Sequence, residues 1–171
     1  MADANRIEKR VELRAPIARV WKAISEPGEF GKWFGVDLEG EFAPGRTIKG
    51  TWRGGFNEEM IMEAQKKSGL KPAKIKIPGP RAPFGIIQGI EPEKYFSFLW
   101  TPFGIDAEAD PEREEKTLVE FRLEPAAGGT LLTIAESGFE KIPAHRRQRA
   151  YIMNQGGWAA QAENLRKHVE G

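Results

Sequence analysis

The chain has 171 residues, 40% of them hydrophobic and 30% charged, which is enough apolar material for one domain with a buried core and too much for a disordered chain. Its 26 basic and 25 acidic residues nearly cancel, so no overall field draws it toward nucleic acid or an anionic membrane. The lack of cysteine excludes disulfides, thiolate nucleophiles and cysteine metal sites, and suits a reducing cytoplasm.

The N-terminus is polar, without an apolar signal core, and no apolar run is long enough to span a membrane. The expectation is a cytoplasmic, unprocessed chain, monomeric or homodimeric.

In chain order, residues 6–13 alternate, with Ile7, Val11 and Leu13 opposite Glu8, Arg10 and Glu12, which predicts a strand with one wet face. Pro16 suits a first helical turn. Ile17, Val20, Trp21 and Ile24 then recur at helical spacing until Pro27 and Gly28 stop the run. Residues 29–34 read as a further helical turn. Val36, Leu38 and Phe42 alternate with Asp37, Glu39 and Glu41 as a strand, which Ala43-Pro44-Gly45-Arg46 reverses into a mate over 47–52.

Residues 53–83 break this rhythm. Asn57 can cap a helix that carries Glu58 and Glu59 in its first turn and Lys66 and Lys67 in its last, closed by Gly69. The prolines and alternating lysines of 71–83 argue for an extended segment. We read the chain as a single domain over 1–171 with a helical, Pro-rich insertion at about 53–83.

Strands return at 84–91 and 95–100, joined by Pro92-Glu93-Lys94, and at 116–124 and 130–137, joined across Ala127-Gly128-Gly129. Between these hairpins, 101–115 reads as an acidic, solvated loop projecting at one end of the sheet. Pro143 opens the last helix, where Tyr151, Trp158, Ala162, Leu165 and Val169 form an apolar stripe. Gly156 and Gly157 sit in its middle, where each costs about 1 kcal/mol relative to alanine. They either leave room for a ligand, or let the helix bend or pack closely on a strand. Strand, helix, several antiparallel strands and a long helix define an α+β arrangement.

Phe96, Phe98 and Trp100 share one strand face and, with Trp52, Phe84, Ile86 and Phe121, either line a cavity or fill a core. Glu136 follows Leu132 and Ile134 at period two. It is either a rim carboxylate paired with an arginine or an inward one whose burial raises its pKa. His145 and His168 lie too far apart for a compact metal motif, and the basic run His145, Arg146, Arg147 and Arg149 reads as a solvated helix face. Asp106, Glu108 and Asp110 begin like a calcium loop, but Pro111 and Thr117 stand where Gly and Glu are needed. No zinc-protease motif, nucleophile elbow, Walker loop or dinucleotide glycine motif occurs.

The phrases RIEKRVELRAPIARVWKAISEPGEFGKWFG, EPEKYFSFLWTP, TLVEFRLEP, TLLTIAESGFE and NQGGWAAQAENLRKHVE resemble the START-like (SRPBCC) superfamily. Within it, they resemble the group named for activators of the heat-shock protein 90 ATPase. The likeness covers 6–52 and 84–169. It implies a helix-grip fold, a curved sheet of six or seven antiparallel strands wrapped around a long C-terminal helix, with a cavity for an apolar ligand. The implied lining is Trp33, Trp52, Phe84, Phe96, Phe98, Trp100, Phe121, Glu136, Met153, Gly157 and Trp158. No catalytic residue, metal or cofactor is expected. The implied function is binding of a small hydrophobic molecule. The alternatives are a stress-response module acting on a chaperone ATPase and a cyclase or hydrolase in which Glu136 or Tyr95 handles protons.

Overall fold

The computed structural model describes residues 5–54 and 57–171, so the first four residues of the polar N-terminus and two of the 53–83 insertion lie outside them. The elements are β1 (Arg6–Leu13), α1 (Ile17–Ser25), α2 (Pro27–Phe34), β2 (Val36–Glu39), β3 (Thr47–Trp52), α3 (Glu58–Lys67), β4 (Ala82–Glu91), β5 (Tyr95–Trp100), β6 (Thr117–Ala126), β7 (Gly129–Ser137), a 3₁₀ turn at Phe139–Lys141, and α4 (Ala144–Glu170).

All seven strands form one antiparallel sheet in the order β1-β7-β6-β5-β4-β3-β2. Register shifts at Ile48/Lys49 and at Ile87/Ile90 are bulges, which bend the sheet. The antiparallel register aligns inward side chains in rows. Phe98, Val119, Glu136 and Ile7 make one row, and Phe96, Phe121 and Ile134 lie in the next. Opposite them, Tyr95, Arg122, Thr133 and Arg10 form a polar row on the outer face. The helix α4 packs on β1, α1 and α2 and buries Ala150, Trp158, Ala162, Leu165 and Val169.

Helix α2 enters this core through Phe30, Trp33 and Phe34, all buried. It crosses close to β2 because residue 31 is glycine. A Cβ there would stand 2.1 Å from the Val36 carbonyl oxygen. Strand β2 ends at Glu39, short of the expected 36–42. The chain turns at Gly40 (φ 88°), and Phe42 leaves the edge to stack on Phe96 at 5.1 Å, where burial stabilises it more than an edge position would.

Between β3 and β4, the Asn57 side chain caps α3 by accepting the Met60 N–H at 3.0 Å. Gln65, fully buried, mimics a backbone pair with Ala73. Its Oε1 accepts the Ala73 N–H at 2.9 Å and its Nε2 donates to the Ala73 carbonyl at 3.1 Å. The extended segment then pairs with the acidic loop, Lys76 N–H donating to the Ile105 carbonyl and Ala107 N–H to that of Lys74.

The 101–115 loop therefore does not project, and the basic run is not a solvated face. Asp106 is fully buried, and Arg149 Nε donates to it at 2.9 Å. Arg146 grips Glu114 through Nε (2.9 Å) and Nη2 (2.6 Å) and donates through Nη1 to the Pro102 carbonyl. Buried charges persist only when paired and hydrogen-bonded, and the first turns of α4 bring the arginines against the loop that carries their partners. Neither set of charges is decipherable without the other.

At the opposite end of α4, His168 meets Glu29 at 3.1 Å, and Arg19 donates to the same carboxylate at 2.8 Å. Burial pushes the Glu29 carboxyl up, but hydrogen bonds from His168, Arg19 and Lys32 outweigh it and hold the group down at about 2. A carboxyl lowered from 4.5 in this way stabilises the fold above the unfolded value, and that contribution is lost as pH falls toward 2. Glu29→Gln is expected to lower the melting temperature at neutral pH and to flatten its decline between pH 4.5 and 2. Melting curves collected across that range, with an undiminished acid slope in the variant, would remove Glu29 as the cause.

Candidate functional site

The inward face of the sheet presents an aromatic cluster that ends at one carboxylate. Phe84 sits at its centre, with ring centroids 5.5 Å from Phe34, 5.5 Å from Phe98, 5.8 Å from Trp100 and 6.1 Å from Trp52. Trp100 lies 5.5 Å from Trp158 at 34°, so an indole from β5 is tilted against one from α4. Such pairs are worth about 0.5–1.5 kcal/mol beyond the area they bury.

Glu136, fully buried on β7, collects hydrogen bonds from both indoles. Trp158 Nε1 donates to Oε1 at 2.8 Å, and Trp100 Nε1 donates to Oε2 at 2.7 Å. Thr117 Oγ1 donates to Oε2 at 2.5 Å, and Asn154 Nδ2 to Oε1 at 2.9 Å. The reading of a rim carboxylate paired with arginine is thus corrected. Among the described residues every hydrogen-bond donor on Glu136 is neutral, and Thr117 is itself buried. Two indoles and an amide can only donate here, and they match the lone pairs of an ionised carboxylate. Desolvation nevertheless dominates and pushes the Glu136 carboxyl above the ordinary value, while the bonds from Thr117, Trp100, Trp158 and Asn154 pull it partly back.

Asn154 links this site to the acidic loop, because its Oδ1 accepts the Phe103 N–H at 3.2 Å while its Nδ2 serves Glu136. Phe103 takes a left-handed backbone (φ 45°), uncommon for a side chain of this size, and its ring packs on the core beside the site.

The expected site residues divide by position. Phe84, Phe98, Trp100, Glu136 and Trp158 come together, with Trp52 on their flank, and Trp52 and Trp100 are half-buried. Trp33 and Phe96 are core. The Trp33 indole donates to the Ala23 carbonyl at 2.9 Å and braces α1 against α2, while Phe96 packs on Phe42 and Phe121. Phe121 spans both groups, 6.1 Å from Phe96 and 5.9 Å from Trp158. Met153 is half-buried and stands about 100° around α4 from Asn154. Gly157 is exposed, and a Cβ placed on it or on Gly156 would meet no atom within 4 Å, so close packing on a strand is not their purpose.

Sequence reasoning missed Phe34, Thr117 and Asn154. Thr117 was accessible to it, sharing strand parity with Val119 and Phe121, and Asn154 precedes Trp158 by one helical turn. Two surface depressions, of about 310 and 580 Å³, both lie away from the aromatic cluster, one on the outer face of β1, β6 and β7 and one beside the 92–94 turn. Among the described residues, no group of acidic or histidine side chains is placed to hold a metal, and no helix is long and apolar enough to cross a membrane.

A sheet of this order closed by a long C-terminal helix defines a helix-grip protein of the START-like class. The chain belongs to the family described as Activator of Hsp90 ATPase homolog 1-like protein, whose model matches residues 14–170. Among solved structures it is similar to protein MLL2253 from Mesorhizobium loti (19% identity, 96% of each chain, TM-score 0.64). It is also similar to the Aha1 dimer from Colwellia psychrerythraea (19% identity, 99% of this chain and 97% of that one, TM-score 0.63). A third similar structure is CV1439 from Chromobacterium violaceum (20% identity, 99% of each chain, TM-score 0.61). Among curated proteins no sequence relative matches.

The Glu136 site carries its own test. Because its folded pKa is raised, this group's contribution to stability is complete below the unfolded value of 4.5 and is lost as pH rises through the folded value. Trp158→Phe removes one donor to the carboxylate and is expected to raise the Glu136 midpoint further. Carboxyl ¹³C NMR titration of both proteins reads this directly, and an unchanged midpoint would mean that the indole does not stabilise the charge.

Proposed function

We propose that this protein binds a small hydrophobic molecule against the aromatic face where Trp52 and Trp100 are half-buried, and that it does so without catalysis. The observation that carries the reading is the aromatic cluster with partly open tryptophans beside a helix whose Gly157 faces open space. A helix accepts two adjacent glycines, at about 1 kcal/mol each, only where something offsets the loss, and room for a ligand is such a reason. A mostly aromatic lining, left partly open at Trp52 and Trp100, suits an apolar small molecule.

The catalytic alternative weakens on the same geometry. Glu136 has both oxygens engaged by protein donors, and the Tyr95 hydroxyl donates to Glu120 at 2.6 Å on the outer face, away from the site. Tyr95 and Glu136 therefore do not form an acid-base pair.

Native mass spectrometry of protein purified from its own host is expected to reveal a stoichiometric bound small molecule, and Gly157→Trp to lose it while keeping the native circular dichroism. An apo mass in both would remove the carrier reading. The family's name favours a second reading, in which the domain modulates a chaperone ATPase as a monomer or homodimer in the cytoplasm. An unchanged ATPase rate in the presence of saturating protein would eliminate it.

A further inference from the structure

Resting on the hydrophobic-ligand reading, the geometry points to a narrower ligand class. The site selects apolar molecules that carry a soft cationic head, such as a quaternary or alkylated ammonium, over their uncharged counterparts.

Three observations carry this. First, Glu136 is a buried carboxylate whose hydrogen-bond donors, Trp100, Trp158, Thr117 and Asn154, are all neutral, so the protein satisfies its lone pairs without supplying a countercharge there. Two other acids near α4 are treated differently, for buried Asp106 and half-buried Glu114 are each met by an arginine. Second, two of those donors are indoles. An N–H donated to an anion polarises the ring and makes its π face more negative, and the faces of tryptophan are already the strongest aromatic partners for a cation. Third, Trp100 is half-buried, and its ring bridges the carboxylate at its N–H edge to Trp158, Phe84 and Phe98 at 5.4–5.8 Å. A cation resting on the open part of Trp100 meets both the ring face and the field of the carboxylate behind it.

The carboxylate itself is saturated and fully buried, so a strongly hydrated ammonium that needs direct hydrogen bonds gains little there. An alkylated head has no such need and sheds its water easily. The surrounding phenylalanines suit the apolar remainder of the same molecule.

The test compares phenyltrimethylammonium with its carbon isostere, tert-butylbenzene, which has the same shape and no charge. The full-length protein is titrated at pH 7.5, and binding is followed by the indole N–H resonances of Trp100 and Trp158. The cation is expected to bind at least about tenfold more tightly than the isostere. That preference is expected to vanish in Glu136→Gln and to fall in Trp100→Phe, which keeps an aromatic ring but loses the bond to the carboxylate. Trp100→Phe serves if Glu136→Gln does not fold. Equal affinity for the two probes would overturn the cationic preference and leave the hydrophobic-ligand reading standing. Failure of both probes to bind would count against both readings. A preference that survives the Glu136 and Trp100 substitutions undiminished would place the attraction elsewhere and overturn the assignment.

Discussion

A carboxylate removed from water destabilises a fold by several kcal/mol, on the order of what many whole domains have to spare, unless donors close around it. Glu136 is held in that state by groups from β5, β6 and α4 converging on one residue of β7. The interaction ties the long helix to β7, one strand in from the edge of the sheet, through Asn154 and Trp158. Elsewhere α4 is held by apolar burial, which is strong but indifferent to register, and near its two ends by the bonds of Arg146, Arg149 and His168 to Glu114, Asp106 and Glu29. Hydrogen bonds of fixed geometry set how far along its axis, and in which rotation, the helix rests.

That constraint propagates outward. Asn154 passes it to Phe103, and through Phe103 to a loop that two arginines from the start of α4 clamp in place. The same loop pairs with the extended segment around residues 74–76, so the 57–83 region is fastened to the core through the acidic loop as well as through the strands it connects. The Glu136 site, the helix that covers it and the 57–83 segment are thereby joined in one chain of contacts.

Family membership and the helix-grip fold leave the chemistry open, since this architecture serves carriers, enzymes and interaction modules alike. The discriminating detail is local. Glu136 has both oxygens taken by neutral protein donors, two of them indoles, and that arrangement is what the proposed ligand reading rests on.

Much was readable from the chain alone, because two periodicities are written into it. The patterns at 6–13, 84–91, 95–100, 116–124 and 130–137 marked strands, and the recurrence of Trp158, Ala162, Leu165 and Val169 marked the face of α4, since burial acts on each element before any tertiary contact exists. Asn57 and Gly69 bounded α3 by local hydrogen bonding and backbone freedom, which are equally local. What only the tertiary structure decided was pairing between distant charges and donors. Arg146 with Glu114, Arg149 with Asp106 and the four donors on Glu136 are separated by 18 to 43 residues along the chain, and no periodicity encodes which of many exposed-looking charges will meet. Hydrophobic burial is a property of one residue, visible in its type and spacing; satisfaction of a buried charge is a property of a place, and exists only once the chain has closed around it.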